Sequence, residues 1–188
     1  MYKLHVVKTG DAWFGAALGE DDTIIATGFT KKRRQDVLTK ILEDLPSDAV
    51  FTEEEKLEGT AQELLRNMYL VYEGKPTERE FTFDMKRISP FHRKALKVTF
   101  NIPRGYVATY GSIAEALGKP GAARAVGTAE ATNPFAPIIP CHRVVAASLK
   151  LGGYGGGLIV KRAILEREGV MFERNRVSRK SLWTPPPV

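Results

Sequence analysis

Residues 137–145 read Pro-Ile-Ile-Pro-Cys-His-Arg-Val-Val, and Cys141 is the single cysteine of the chain. A lone thiol has no internal disulfide partner and cannot build a multi-cysteine zinc site. The chemistry open to it is nucleophilic attack, for which the thiolate is the reactive form. His142, one of three histidines, follows at once, and Arg143 comes next. A base and a cation beside the sulfur favour thiolate over thiol. The bland alternative is that a free cysteine in an apolar run packs as a small hydrophobe.

The residues around this run weigh against mere packing. Ala122, Ala123, Ala125, Gly127, Thr128 and Ala129 are all small, and Arg124 is the one long side chain among them. Asn133-Pro134 precedes the apolar run, and Leu151-Gly152-Gly153-Tyr154-Gly155-Gly156-Gly157 follows it. Glycine at that density allows close approach of the backbone to another group, and Tyr154 offers a flat face. No Gly-Lys-Ser/Thr follows, so the run is not a phosphate-cradling loop.

Helices must position these groups. Ser89-Pro90 gives a capping hydroxyl and then proline where a missing N–H costs nothing, so a helix is expected from there to about Asn101. A second is expected from Thr109–Ser112 to Leu117. Gly118-Lys119-Pro120-Gly121 makes a turn, and a third helix runs from Ala122 to about Ala131. Two short helices joined by a glycine turn form a helix-turn-helix pattern. The small residues of the third helix suit either close packing in the core or close approach to a duplex, in which case Arg124 reaches into the base stack. Asn133-Pro134 ends that helix. A last helix is expected over residues 158–168.

The amino-terminal half is built differently. Tyr2–Val7, Ala12–Leu18 and Thr23–Phe29 are β-branched and aromatic runs separated by turn compositions, which predicts a small antiparallel sheet. Val37, Leu38, Ile41, Leu42 and Leu45 recur at helical spacing, as do Leu64, Leu65, Met68 and Tyr69. Residues 73–90, charged and interrupted by prolines, read as a linker. The expected fold class is therefore α/β (α+β). Residues 1–85 form a small domain of antiparallel sheet plus helices, residues 86–175 a mostly helical domain with the helix-turn-helix, and residues 176–188 a basic, proline-rich and loosely held tail.

The net charge of +6 over 188 residues conceals a split. Residues 1–85 carry 11 Lys/Arg against 17 Asp/Glu, and residues 86–188 carry 17 against 5. Such asymmetry points to a polyanion partner for the basic half. There is no charged start leading into an apolar signal segment and no apolar stretch long enough to span a bilayer. A soluble protein of the cytoplasm, or of the nucleus in a eukaryote, is expected.

Read together, these motifs carry a resemblance. Pro140-Cys141-His142-Arg143-Val144, preceded by Ile102-Pro103-Arg104-Gly105-Tyr106-Val107, Tyr110, Ala122–Gly127 and Asn133-Pro134, and followed by Tyr154 with its glycines and Glu168-Gly169, resembles the O6-alkylguanine-DNA alkyltransferases. These are suicide proteins that repair alkylated guanine, and the resemblance runs from Pro90 to Gly169. It implies that Cys141 accepts the alkyl group and that His142 acts as base through a water, oriented by Glu168. Tyr110 is implied to hydrogen-bond the guanine, and Asn133 to hold the segment before the cysteine. The Val144 carbonyl and the Gly155 N–H are implied to bind the edge of the base, and Tyr154 to wall the pocket. Arg124 would fill the gap left by a flipped nucleotide, with Ala123, Gly127, Ser112 and Tyr110 also at the DNA. The implied partner is double-stranded DNA carrying O6-alkylguanine, bound by a monomer with no membrane association.

Some members hold a structural zinc in the amino-terminal half. Here that half has no cysteine and only His5, so neither metal nor other cofactor is expected. Gly155 lacks the hydroxyl often found at its position. Three other readings of the same residues are a module that binds lesions without transfer, a multiple-turnover cysteine hydrolase, and a plain helix-turn-helix regulator.

Overall fold

The structure, a computed structural model, describes residues 1–77 and 80–188. The chain divides into two compact units: Met1–Tyr72 with Thr77–Met85 and Pro134–Ile138, and Glu73–Pro76 with Lys86–Asn133 and Ile139–Val188.

In the first unit, β1 (Tyr2–Thr9), β2 (Ala12–Leu18) and β3 (Ile24–Thr30) form the expected antiparallel meander. The sequence reading passed over a fourth strand, β4 (Phe51–Glu53), which pairs parallel with the start of β1 and gives the order β3-β2-β1-β4. It is three residues long and wholly exposed, so it shows no apolar alternation to be read. Helix α1 (Arg34–Asp44) buries Val37, Leu38 and Ile41 against the sheet. Gly15 sits beneath it, where a Cβ would lie 2.6 Å from the end of the Ile41 side chain, which would have to shift to admit one. The next residue along the alternation, Phe14, meets Tyr69 and Tyr72 of α2 (Gly59–Tyr72) edge-on at 6.0 and 5.7 Å. With both faces of β2 in contact with helices, six of its seven residues are buried.

The expected linker departs from its reading. Glu78 and Arg79 lie outside the described residues, but Ile24 exchanges backbone hydrogen bonds with Thr82 and Asp84, which holds residues 82–84 along β3. The segment Pro134–Ile138 is fastened to the same unit by Thr27, whose N–H and hydroxyl donate to the carbonyls of Pro134 and Ala136, each at 2.7 Å.

The second unit is mostly helical, as the fold class requires. Helix α3 (Pro90–Phe100) begins at Ser89, whose hydroxyl accepts from the His92 N–H. Two-residue strand β5 (Ala108–Thr109) leads into α4 (Tyr110–Ala116), and α5 (Ala123–Ala131) follows a turn with Gly118 and Gly121 at φ of 66° and 93°. These three helices enclose Ala95, Val98, Ile102, Ile113, Val126 and Ala129. Strand β6 (Val144–Val145) pairs parallel with β5, matching Ala108 to Val144. Helix α6 (Leu158–Arg167) and the hairpin of β7 (Phe172–Glu173) and β8 (Arg176–Val177) complete the unit.

The last residues are not loosely held. The backbones of Ser181 and Trp183 bracket Val107, the Val188 N–H donates to Ala116, and Trp183 packs on the helical core. A prolyl run reads as an unstructured tail, yet its carbonyls and the N–H groups beside it remain available for pairing. Among the described residues, no helix is long and apolar enough to cross a membrane.

Candidate active site

Cys141 opens a single 3-10 turn, Cys141–Arg143, that continues directly into β6. Because β6 pairs with β5, and Thr109 at the end of β5 caps α4, one short ladder ties the cysteine turn to the start of the helix-turn-helix. The cap is reciprocal. The Thr109 hydroxyl accepts from the Ser112 N–H and the Ser112 hydroxyl accepts from the Thr109 N–H, both at 3.0 Å. Ser112 also donates to the Thr109 carbonyl, so its hydroxyl is engaged within the protein.

The sulfur lies in a pocket of about 370 Å³ lined by Tyr110, Gly127, Glu130, Ala131, Cys141, Gly153, Tyr154 and Gly155. The thiol does not behave as its sequence neighbours suggest. Burial pushes Cys141 up to about 11, helped by Glu130 and opposed by a hydrogen bond from Asn133 and by Lys161. Arg143 does not serve the sulfur. Its Nε and Nη2 grip Glu168 at 2.7 to 3.2 Å, and its Nη1 donates to the Ile102 carbonyl at 2.7 Å. Adjacency in sequence misled here, because consecutive residues of a tight turn point in different directions.

His142 is fully buried, with Nε2 3.0 Å from Glu168 Oε1 and Nδ1 without a protein partner. Burial alone would raise Glu168, but His142 and Arg143 outweigh it and hold the carboxyl at about 2. Burial lowers His142 despite that carboxylate. A neutral imidazole donating from Nε2 to a fixed carboxylate leaves Nδ1 as a proton acceptor. The turn therefore holds a protonated thiol beside a neutral histidine whose ring is fixed by an ionised carboxylate.

Other expected residues fall around this centre. Asn133 donates to the Ile139 carbonyl at 2.9 Å, bracing the turn before the cysteine. Tyr110 and Tyr154 line the pocket, and burial raises both phenols, which keeps them as hydroxyl donors. Gly152, at φ 70°, lies so close to Tyr110 that a Cβ there would be 3.0 Å from the phenol oxygen. Gly127 faces the Tyr110 ring from α5, while Gly155 borders the pocket and is exposed. Ala123 and Arg124 begin α5, the first half-buried and the second exposed. The Val144 carbonyl accepts from Lys161 at 2.6 Å. Among the described residues, no group of three or more His, Cys, Asp and Glu side chains is disposed to hold a metal ion.

Two residues were missed by sequence reasoning. Lys161 is fully buried, and its ammonium donates to the carbonyls of Val144, Leu151 and Gly153, tying the glycine loop to the strand after the cysteine. Burial lowers it to about 8, against the pull of Cys141 and Glu130. Glu130 lies on the buried face of α5 with Val126 and Ala129. The signal was present in both cases. Lys161 shares its helical stripe with Ile164, Leu165 and Glu168, and Glu130 shares one with Val126 and Ala129. A charge on an apolar stripe is buried only when paired or functional.

A single buried thiol in a pocket walled by the second helix of a helix-turn-helix, with a histidine–carboxylate pair in the next residue's contacts, is the pattern of a nucleic-acid-directed protein that works through one cysteine. Comparison with known proteins agrees. Residues 90–170 match the family described as 6-O-methylguanine DNA methyltransferase, DNA binding domain. A methylated-DNA--protein-cysteine methyltransferase of Mycolicibacterium paratuberculosis is 44% identical over 123 residues, covering 65% of this chain and 72% of that protein. Its counterpart in Mycobacterium bovis is 50% identical over 97 residues, covering 52% and 58%. The match thus spans a little over half the length of the latter relative. The Mycobacterium tuberculosis OGT structure, solved in complex with DNA, superimposes with a TM-score of 0.71 at 31% identity, covering 89% of this chain and 92% of that one. The chain belongs to the O6-methylguanine DNA methyltransferase family.

Proposed function

We propose that this protein repairs DNA by direct, irreversible transfer of an alkyl group from O6-alkylguanine to Cys141, one lesion per molecule. The observation that carries the reading is the Cys141 thiol in a pocket bordered by the helix-turn-helix, with the buried His142–Glu168 pair beginning at the very next residue. An alkyl group on guanine is buried in the duplex, so the nucleotide must be flipped out to reach the sulfur. Arg124, exposed at the start of α5, fills the gap it leaves, and Ala123, Gly127 and Ser112 lie along the DNA.

Because the thiol rests protonated, attack requires proton removal. Cys141 gives its proton through a water to Nδ1 of His142, and Glu168 stabilises the imidazolium. The sulfur attacks the alkyl carbon in line. The S–C bond forms as the C–O6 bond breaks, and the electron pair leaves with the guanine. Tyr110 donates to the departing base and offsets its charge, while the Val144 carbonyl and the Gly155 N–H hold its edge. The thioether has no simple hydrolytic exit, so the thiol is not regenerated. Residues 86–175 carry this chemistry and the DNA surface, and residues 1–85 form a separate domain. The protein works as a monomer on double-stranded DNA in the cytoplasm, or in the nucleus of a eukaryote, without membrane association.

The test is intact-protein mass after incubation with a duplex carrying O6-methylguanine, followed by peptide mapping. One methyl per protein, on Cys141, is expected. Tight binding with no mass change overturns transfer and leaves a damage-recognition module. Multiple turnover with an unmodified thiol identifies a hydrolase.

A further inference from the structure

The mechanism leaves one ionisable group of the pocket unused. Glu130 is 7% exposed and lines the same pocket as Cys141. Its Oε1 accepts from the Thr99 hydroxyl of α3 at 2.7 Å, while its Oε2 is buried without a partner in the protein. The titratable groups facing it are Tyr110 from α4, Cys141 from the cysteine turn and Lys161 from α6. None of them pairs with it. Lys161 directs its ammonium to three carbonyls, which uses all of its donors. Burial raises Glu130 to about 7, with Thr99 and Lys161 opposing. A carboxyl in this state is neutral below neutrality and anionic above it.

We propose that Glu130 is a specificity-determining residue of the Cys141 pocket, its carboxyl discriminating by charge against alkyl groups that themselves end in an anion. The inference rests on the alkyltransferase reading and deepens it. An alkyl group presented to the sulfur enters the space that Glu130 lines. A methyl group carries no charge and is indifferent to the carboxyl. A carboxymethyl group is ionised throughout the neutral range and meets a second anion once Glu130 loses its proton. In a desolvated pocket that repulsion is weakly screened. The cations nearby offer no relief, since Arg143 is held by Glu168 and Lys161 by carbonyls.

The experiment compares single-turnover transfer to the full chain from duplexes carrying O6-methylguanine or O6-carboxymethylguanine, between pH 6 and 8.5. In the wild type, the carboxymethyl-to-methyl rate ratio is expected to fall by about tenfold as pH rises through 7. In Glu130→Gln, which keeps an oxygen for Thr99, the ratio is expected to be flat, while the exposed Glu115→Gln follows the wild type. A flat wild-type ratio, or the wild-type slope in Glu130→Gln, overturns the proposal while leaving methyl transfer intact. Absence of transfer to Cys141 from either duplex in the wild type overturns the alkyltransferase reading itself. The wild-type slope requires no variant, and Glu130→Met supplies a second neutral side chain of similar volume.

Discussion

At the scale of single residues, the central point is that Cys141 is protected rather than primed. Burial holds its thiol near 11, so random electrophiles meet an unreactive group. In the mechanism proposed above, reactivity arises when His142 removes the proton with a substrate already in place. Cys141→Ser is therefore expected to abolish alkyl uptake, because a hydroxyl is a poorer nucleophile and harder to deprotonate, while DNA binding is largely retained. Mass spectrometry with a parallel gel-shift assay checks this, and alkyl gain by the serine variant would refute it. Cys141 and His142 are legible in the chain as a lone cysteine followed by a histidine, whereas Glu168 is implied only by the family resemblance. The direction of the thiol shift was not. It depends on burial and on where Arg143 points, and neither is a property of adjacency.

At the scale of elements, the helix-turn-helix and the glycine loop make separate contributions. Arg124 starts α5 and is exposed, so its role requires a base stack to enter. Arg124→Ala is expected to slow repair in duplex DNA by far more than reaction with free O6-methylguanine base. Equal loss on both substrates would remove Arg124 from nucleotide flipping. The loop is constrained at Gly152, where a φ of 70° and the closeness of Tyr110 would strain any side chain. Gly152→Ala is expected to shift Tyr110 and slow transfer by about ten- to hundredfold. The measurement is single-turnover kinetics beside a circular dichroism spectrum that shows the fold retained. The loop's density of glycine was visible in the sequence, but which glycine carries the constraint depends on the ring that lies against it.

At the scale of the whole molecule, charge and pH decide behaviour. Residues 86–188 carry 17 Lys/Arg against 5 Asp/Glu. DNA affinity is expected to fall steeply and linearly in log–log form with salt, through counterion release. A flat response would mean that this surface is not the one that binds. Stability has its own pH signature. Glu168 is lowered in the fold to about 2 from an ordinary 4.5, so its contribution is present above 4.5 and lost as pH falls towards 2. That shift corresponds to about 3 kcal/mol. His142, buried and lowered, adds loss in the same direction below its ordinary 6.5. Glu130, raised to about 7, works the other way and costs stability as pH rises from 4.5 towards 7. Denaturant titrations from pH 2 to 8 are expected to show the loss between pH 4.5 and 2 reduced in Glu168→Gln while the His142 loss below 6.5 persists, the variant starting from a lower stability because Arg143 then lacks its counter-charge.

The sequence by itself determined the lone cysteine beside a histidine, the helix-turn-helix pattern and the three-stranded meander, while Glu168 entered only through the family resemblance. The first three are written in residue type and local spacing, which short-range physics reads directly. The tertiary structure decided the rest. It turned Arg143 from a neighbour of the sulfur into the partner of Glu168, and it pinned the prolyl tail to Val107 and Ala116. It also drew Lys161 and Glu130, charges on apolar stripes, into contact with carbonyls and with the pocket. These outcomes depend on burial and on contacts between residues distant in the chain, so no local window of sequence contains them.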